Sequence, residues 1–506
     1  MELASIRGDT VLMLYHPAEA LAEVGQQFTI LEVPDQREGL VIQVISNESL
    51  DYVGLQQEMI QRILEERVAQ NLQVVLDRER GMGEMRNIKL ARAKIRRRIA
   101  AGEWLPWDGW IPTRNVAVTR LEGADVLRRI LPEAACPLRT FAQFNGTPVR
   151  LDGPRLNMVN VIAGVKGSGK SHLAKHLVLA LAELHVPCIV YDINGEYTVL
   201  PGAQVLRWGD NFVPDLAEVG HETLRTVVQA TYPLPDTSAN AFESMLPVVF
   251  GNRRQFCEQR HERFTIDIDF LRQAHWSGNQ HVNDAIRERL RVVGERRLFR
   301  VLAPPGVQPG QARPRFVTTL TEAYNQACTG ATVVFDMRTL PTALRQALVR
   351  FVNRTIETIC ETEGGDQGQG RYPFVFFEEA HFYVSKEAIL NIITRGRHIG
   401  MGSVFVTNTP QDLPDSVFRQ LDNLLLLALT HRDDIKNVSK NSFTDEDTIE
   451  SFATRMPEFH ALVMGNVTQR YPLVLRIDAL PANVPATGRT RSTWDRFAGG
   501  QAGPGR

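Results

Sequence analysis

The densest chemistry in the sequence lies at Gly164-Val165-Lys166-Gly167-Ser168-Gly169-Lys170-Ser171, which fits G-x-x-x-x-G-K-[ST] without a mismatch. Glycines let backbone N–H groups curl around phosphate oxygens, and a helix starting here adds the positive end of its dipole. In this pattern Lys170 reaches the β- and γ-phosphates and the Ser171 hydroxyl ligates Mg²⁺. His172 is the last residue of the expected phosphate-binding segment. ATP and Mg²⁺ are the cofactors these residues predict.

Roughly 200 residues on, Phe374–Phe377 reads as a buried strand ending in Glu378-Glu379-Ala380-His381. A P-loop ATPase needs one acid there to hold Mg²⁺, usually through water, and a second to activate the attacking water. Glu378 is assigned to the metal, where Asp is commoner, and Glu379 to the general base. Two acids at a helix N-terminus are the bland alternative. Asp192 ends another strand, in Asp192-Ile-Asn-Gly-Glu-Tyr197. It touches the Mg²⁺ shell, orients a catalytic group or makes the turn before Asn-Gly. Arg395 and Arg397 flank Gly396, which suits a γ-phosphate contact supplied to a neighbouring subunit, or a solvated basic turn. Asn408, after the apolar run Val404–Thr407, is either a γ-phosphate sensor or a turn residue.

These groups need a parallel sheet to bring them together. Met158–Ala163, Pro187–Tyr191, Ala331–Phe335, Phe374–Phe377, Ser403–Thr407, Leu424–Leu429, Ala461–Met464 and Tyr471–Ile477 read as strands, with helices at Ser171–Leu184 and 341–362 between them. The division expected is a β-rich, barrel-like N-terminal domain over 1–150, an ATPase core in two parts (151–212 and 313–484), a helical insertion over 213–312 and a polar tail over 485–506. Within the first domain, Thr10–Tyr15, Gln27–Val33, Gly39–Ser46 and Asn115–Arg120 read as strands, Leu55–Asn71 as a helix and Glu103–Pro112 as an irregular connector. Arg86–Arg98 carries Ile88, Ala91, Ile95 and Ile99 at helical spacing, which predicts an amphipathic helix with a basic outer face. That face suits phosphate contacts or plain solvation.

Composition narrows the class without choosing within it. Lys+Arg (57) and Asp+Glu (58) nearly cancel, so net charge argues neither for nor against nucleic acid. No apolar run reaches the ~20 residues of a membrane span. Met1-Glu2-Leu3-Ala4 lacks a signal-peptide pattern. The five cysteines are scattered with no CxxC pair. A cytoplasmic location without disulfides, zinc or a histidine-ligated metal is expected.

Taken in order, Asn160–Lys175, Asp192–Tyr197, Glu378–His381, Gly396–Gly400 and Thr407–Pro410 resemble the HerA/FtsK branch of RecA-like ATPases, and within it the HerA family. Met456–Arg476 resembles the end of that family's core. The resemblance implies a RecA-like α/β core with a small N-terminal barrel and a helical insertion. It also implies a homohexameric ring with ATP sites between subunits and duplex DNA pumped through the channel. The implied partner is a separate nuclease or other effector, NurA-like or sirtuin-like, in DNA end processing or anti-phage defence. Gly396-Arg397-His398-Ile399-Gly400 aligns with the family's G-R-K-x-G, which favours Arg397 as the arginine acting in trans. Thr394, Arg395 and Asn408 depart from the family's residues at their positions. Two rivals stand beside the motor: an ATP-binding ring scaffold that gates a separate effector, and a motor for protein.

Overall fold

Alternating apolar residues near the N-terminus do become β-structure. The computed structural model describes residues 2–15, 28–49, 89–113, 118–131, 133–156, 158–300, 320–363, 372–440 and 443–485. The chain divides into two units. One comprises Met1–Ala134, Ala142–Leu151 and Ala428–Ile477; the other comprises Ala135–Phe141, Asp152–Leu427 and Asp478–Arg506.

The first unit opens with β1 (Glu2–Arg7), β2 (Thr10–Tyr15), β3 (Ile30–Asp35), β4 (Glu38–Ser49), β5 (Lys89–Ala100), β6 (Glu103–Leu105) and β7 (Thr119–Arg120). They form a sheet in the order β1-β2-β5-β4-β3-β7, with β6 on β5. Among the described residues β1 and β7 end this order, so a sheet is seen here and not a closed barrel. Val11, Met13, Leu31, Val33, Leu40, Ile42, Val44, Ala91, Ala93 and Ile95 make its core.

Residues 86–88 lie outside the described residues; from Lys89 on, the basic segment expected as a helix is strand β5. Its residues are mostly good helix formers, but tertiary pairing overrides propensity. Ala91, Ala93 and Ile95 alternate with Arg92, Lys94 and Arg96, a period-two pattern that fits a strand paired on both sides, with β2 and β4. Its cations are not a free phosphate-binding face. Lys94 meets Asp9 at 2.9 Å and Asp445 at 3.5 Å, Arg96 meets Asp445 at 3.4 Å, and Arg98 meets Glu38 at 2.9 Å. The helix expected over Leu55–Asn71 lies outside the described residues, as do 115–117 of the expected strand Asn115–Arg120 and the tail beyond 485. The connector Glu103–Pro112 is irregular apart from β6.

After α1 (Gly123–Ile130) come the hairpin strands β8 (Ala142–Phe144) and β9 (Thr147–Val149). The second unit then carries β10 (Val159–Ala163), α2 (Lys170–Glu183), β11 (Cys188–Asp192) and β12 (Gln204–Leu206). The expected insertion is helical through α3 (Leu216–Thr231), α4 (Asp236–Gln259), α5 (Ile268–Gln273) and α6 (Gln280–Glu295). After α7 (Leu320–Cys328) follow β13 (Thr332–Asp336), α8 (Thr342–Glu363), β14 (Phe374–Glu378), α9 (Lys386–Ile399), β15 (Gly402–Thr407) and β16 (Asn423–Leu426). The strands of this unit pair in parallel in the order β12-β13-β11-β14-β15-β10-β16. Every residue of β10, β11, β13, β15 and β16 is buried, as continuous apolar runs require when helices cover both faces of a parallel sheet.

The last two strands among the described residues, β17 (His460–Gly465) and β18 (Leu473–Ile477), belong to the first unit. β17 pairs antiparallel with β18, and β18 with β8. That long-range pairing groups Ala428–Ile477 with the N-terminal segments, whereas the sequence reading placed these residues in the second part of the core. Among the described residues no helix is long and apolar enough to cross a membrane.

Candidate active site

In an open parallel sheet, ligands meet the carboxyl ends of the strands. Here β10 leads into the Gly-rich loop, β11 ends in Asp192, β14 in Glu378, and β15 in Thr407. Gly167 and Gly169 adopt φ +85° and +104°, a region open mainly to glycine, and turn the chain into α2. Gly169 caps α2 and no side chain bonds its first turn, which leaves those N–H groups for an anion.

Lys170 is buried and donates to the Val165 carbonyl at 3.0 Å and to the Asn408 side-chain oxygen. The Asn408 N–H donates to both Glu379 oxygens, at 3.2 and 3.1 Å, and the Thr407 hydroxyl reaches Glu379 at 3.4 Å. Lys170, Asn408 and Glu379 therefore meet. Burial pushes the Lys170 ammonium down and the Glu379 carboxyl up; Lys170 and the Asn408 N–H pull the latter partly back. Glu379 sits at φ +49°, ψ +52°, a left-handed conformation costing a non-glycine residue about 1–3 kcal/mol. Its N–H donates to the Val406 carbonyl at 2.7 Å, which holds the turn.

Glu378 faces the P-loop helix: the Ser171 hydroxyl donates to Oε1 at 3.5 Å, and Asn194 donates to the same oxygen at 3.3 Å. Its Oε2 is buried and takes no hydrogen bond among the described residues. Burial, with Asp192 and Glu196 nearby, pushes the Glu378 carboxyl well above the usual range. Asp192 makes the turn. Its Oδ1 accepts from the N–H groups of Asn194 (3.1 Å), Gly195 (2.6 Å) and Glu196 (3.2 Å), and Oδ2 from Tyr197 (2.8 Å).

The remaining predicted residues are placed elsewhere. The His172 ring, with His176 one turn on, reaches the Asp478 carbonyl at 2.7 and 3.0 Å. Burial brings His176 down to about 4. Arg395 pairs with Glu357 at 3.3 Å. Arg397 donates to the Gln420 carbonyl at 2.7 Å and to Asp422 at 3.2 Å, and Asp422 also accepts the Val159 N–H at 3.0 Å. Val159 opens β10 whereas the P-loop follows its other end, about 13 Å away at the usual rise per residue. Arg397 is thus not brought to the P-loop of its own chain.

Sequence reasoning passed over Asn194 and Lys175. Lys175 is 1% exposed, and Glu196, Glu378 and Asp192 oppose the effect of burial on its ammonium. Its signal was the i, i+4 spacing from Ser171, which puts both on one helix face. The Asn194 signal was weaker, because Asn-Gly reads first as a turn.

Residues 139–286 match the family described as Helicase HerA, central domain, a stretch running from before the P-loop into α6. The chain is HerA-like. It is 21% identical over 361 residues to the DNA double-strand break repair helicase HerA of Sulfolobus acidocaldarius, covering 64% of this chain and 66% of that protein. It is 28% identical over 114 residues to the protein of the same name from Sulfurisphaera tokodaii, covering 21% of this chain and 22% of that one. The HerA-like chain thus spans less than two thirds of the length of either relative. Among solved structures, VirB4 of Thermoanaerobacter pseudethanolicus overlays with a TM-score of 0.46 at 17% identity, covering 70% of this chain and 100% of that one.

Proposed function

We propose that this HerA-like chain hydrolyses ATP and uses the energy to move duplex DNA through a ring of identical subunits. The observation that carries the reading is the meeting of Lys170, Glu379 and Asn408, beside Ser171 and Glu378, at the carboxyl edge of one parallel sheet. The first-turn N–H groups of α2 and Lys170 would bind the phosphates. Glu379, held off the sheet by its turn, would accept a proton from the attacking water. Lys170 would stabilise charge developing on the γ-phosphate, and Asn408, already bonded to both, would register its loss.

The donor set fits Mg²⁺. A hydroxyl and a carboxylate face each other, and the carboxylate keeps one buried oxygen without a hydrogen bond among the described residues. Mg²⁺ commonly takes one or two protein ligands and completes its shell with water and phosphate. Ser171 and Glu378 would hold it, and it would neutralise phosphate charge. Asp192, with both oxygens taken up by its own turn, would act by shaping the loop beside Glu378.

Arg397 would serve the site of a neighbouring subunit, which its place at the opposite end of β10 supports. A nuclease or other effector as a separate chain, in end processing or phage defence, completes the proposal, with a cytoplasmic location. The test is steady-state ATP hydrolysis with and without linear duplex DNA at low salt. Stimulation by DNA is the expected result. Hydrolysis that DNA leaves unchanged would sink the translocase reading and favour a ring scaffold, whose effector activity should survive Glu379→Gln.

A further inference from the structure

Outside the P-loop and the Glu pair, the Asn194 side chain reaches the metal-side acid, donating to Glu378 Oε1 at 3.3 Å. The loop carrying it is fixed from two directions. Asp192, fully buried, accepts four successive backbone N–H groups from residues 194–197. On the far side, Gly195 at φ +77° packs so closely on Arg338 that an added Cβ would lie 2.6 Å from its guanidinium. Arg338 is itself held by Asp336, through Nε at 2.9 Å and Nη2 at 2.7 Å, and Asp336 also binds Arg207 at 3.0 Å. The Met337 N–H donates to the Asp192 carbonyl at 2.8 Å and ties the ends of β13 and β11 together.

We infer that Asn194 is a positioning residue for Glu378: it shares Oε1 with the Ser171 hydroxyl and so sets the plane of the carboxylate that would hold the metal. The inference deepens the ATP–Mg²⁺ reading of the site and rests on it. A carboxylate on a five-residue strand end has a free χ3, so a lone Oε1–Ser171 contact at 3.5 Å would leave its plane undetermined. The Asn194 amide supplies a second donor to the same oxygen, which holds Oε1 between two fixed groups and with it the plane, and the Asp192 turn and Arg338 fix the amide. Outer-shell partners of metal ligands typically govern about 10–100-fold of metal affinity.

The test is binding of a ribose-labelled fluorescent ATP to the full chain, with MgCl₂ and with EDTA. Wild type should bind more tightly with Mg²⁺. Asn194→Ala should lose about tenfold or more of affinity in Mg²⁺ while keeping its affinity in EDTA. Asn194→Ser, which suits the turn but is too short to reach Glu378, should behave alike. In a Glu378→Gln background, Asn194→Ala should cost nothing further. Equal loss in Mg²⁺ and EDTA, or no loss in either, overturns the inference and leaves the nucleotide site standing. No binding by wild type overturns the site reading and this inference with it.

Discussion

At the scale of the residue, the site rests on two acids in unlike surroundings. Glu378 is aligned by hydrogen bonds to one oxygen, whereas Glu379 is held in a left-handed turn with backbone N–H and Lys170 about it. Removing Lys170 takes away the charge for the β/γ-phosphates, so Lys170→Ala should abolish ATP binding measured by calorimetry. Glu379→Gln keeps the shape and removes the base. It should bind ATP normally and lower kcat by about 10²–10⁴-fold. Glu379 works ionised and its pKa is raised, by burial above all. The acid limb of the kcat–pH profile should therefore fall at a higher pH than an ordinary carboxylate would give. These residues were legible in the sequence because the chemistry demands their types at fixed spacing. Asn194 was not, because a side-chain amide one residue before a glycine looks the same whether it only turns the chain or also holds an acid.

Between residue and molecule, β10, β11, β13, β14 and β15 could be read to within a residue, since buried parallel strands are unbroken apolar runs between glycines and acids, whereas β16 ends three residues before the run read for it and the short, half-buried β12 was not read. Strand β5 could not. Ala, Lys and Arg favour helix locally, and only its partners β2 and β4, with Asp9 and Asp445 set opposite its cations, decide otherwise. This gives a stability test. Burial alone would raise the Asp445 carboxyl, but the Thr448 hydroxyl, Arg96 and Lys94 outweigh it and bring it down to about 2. A depressed carboxylate stabilises above its unfolded value near 3.9 and loses that contribution as pH falls toward 2, here about 2 kcal/mol. The stability gap between wild type and Asp445→Asn in urea melts should therefore close as pH drops from about 4 to 2. In the loop after β11, Gly195→Ala meets both a positive φ and the Arg338 guanidinium, and should cost about 1 kcal/mol or more in the same assay.

For the molecule as a whole, the division into units was the least legible feature. It depends on β18 finding β8 across more than three hundred residues, and nothing local in Leu473–Ile477 encodes that choice. The proposed role of Arg397 in a neighbouring subunit's site is testable at this scale. Mixing Arg397→Ala with Glu379→Gln subunits should restore part of the ATP hydrolysis that each lacks alone, and no recovery in confirmed mixed rings would count against action in trans. The seat of Arg397, at the amino end of β10 with Asp422 and the Gln420 carbonyl, has a kinetic consequence. If Arg397 is the finger proposed above, a subunit that keeps it at the far edge of its sheet would carry its catalyst in two halves that never meet. Turnover per subunit then reports how much ring has formed. Dilution should silence the protein more steeply than in proportion, and a cell would set its activity by abundance before any substrate arrived.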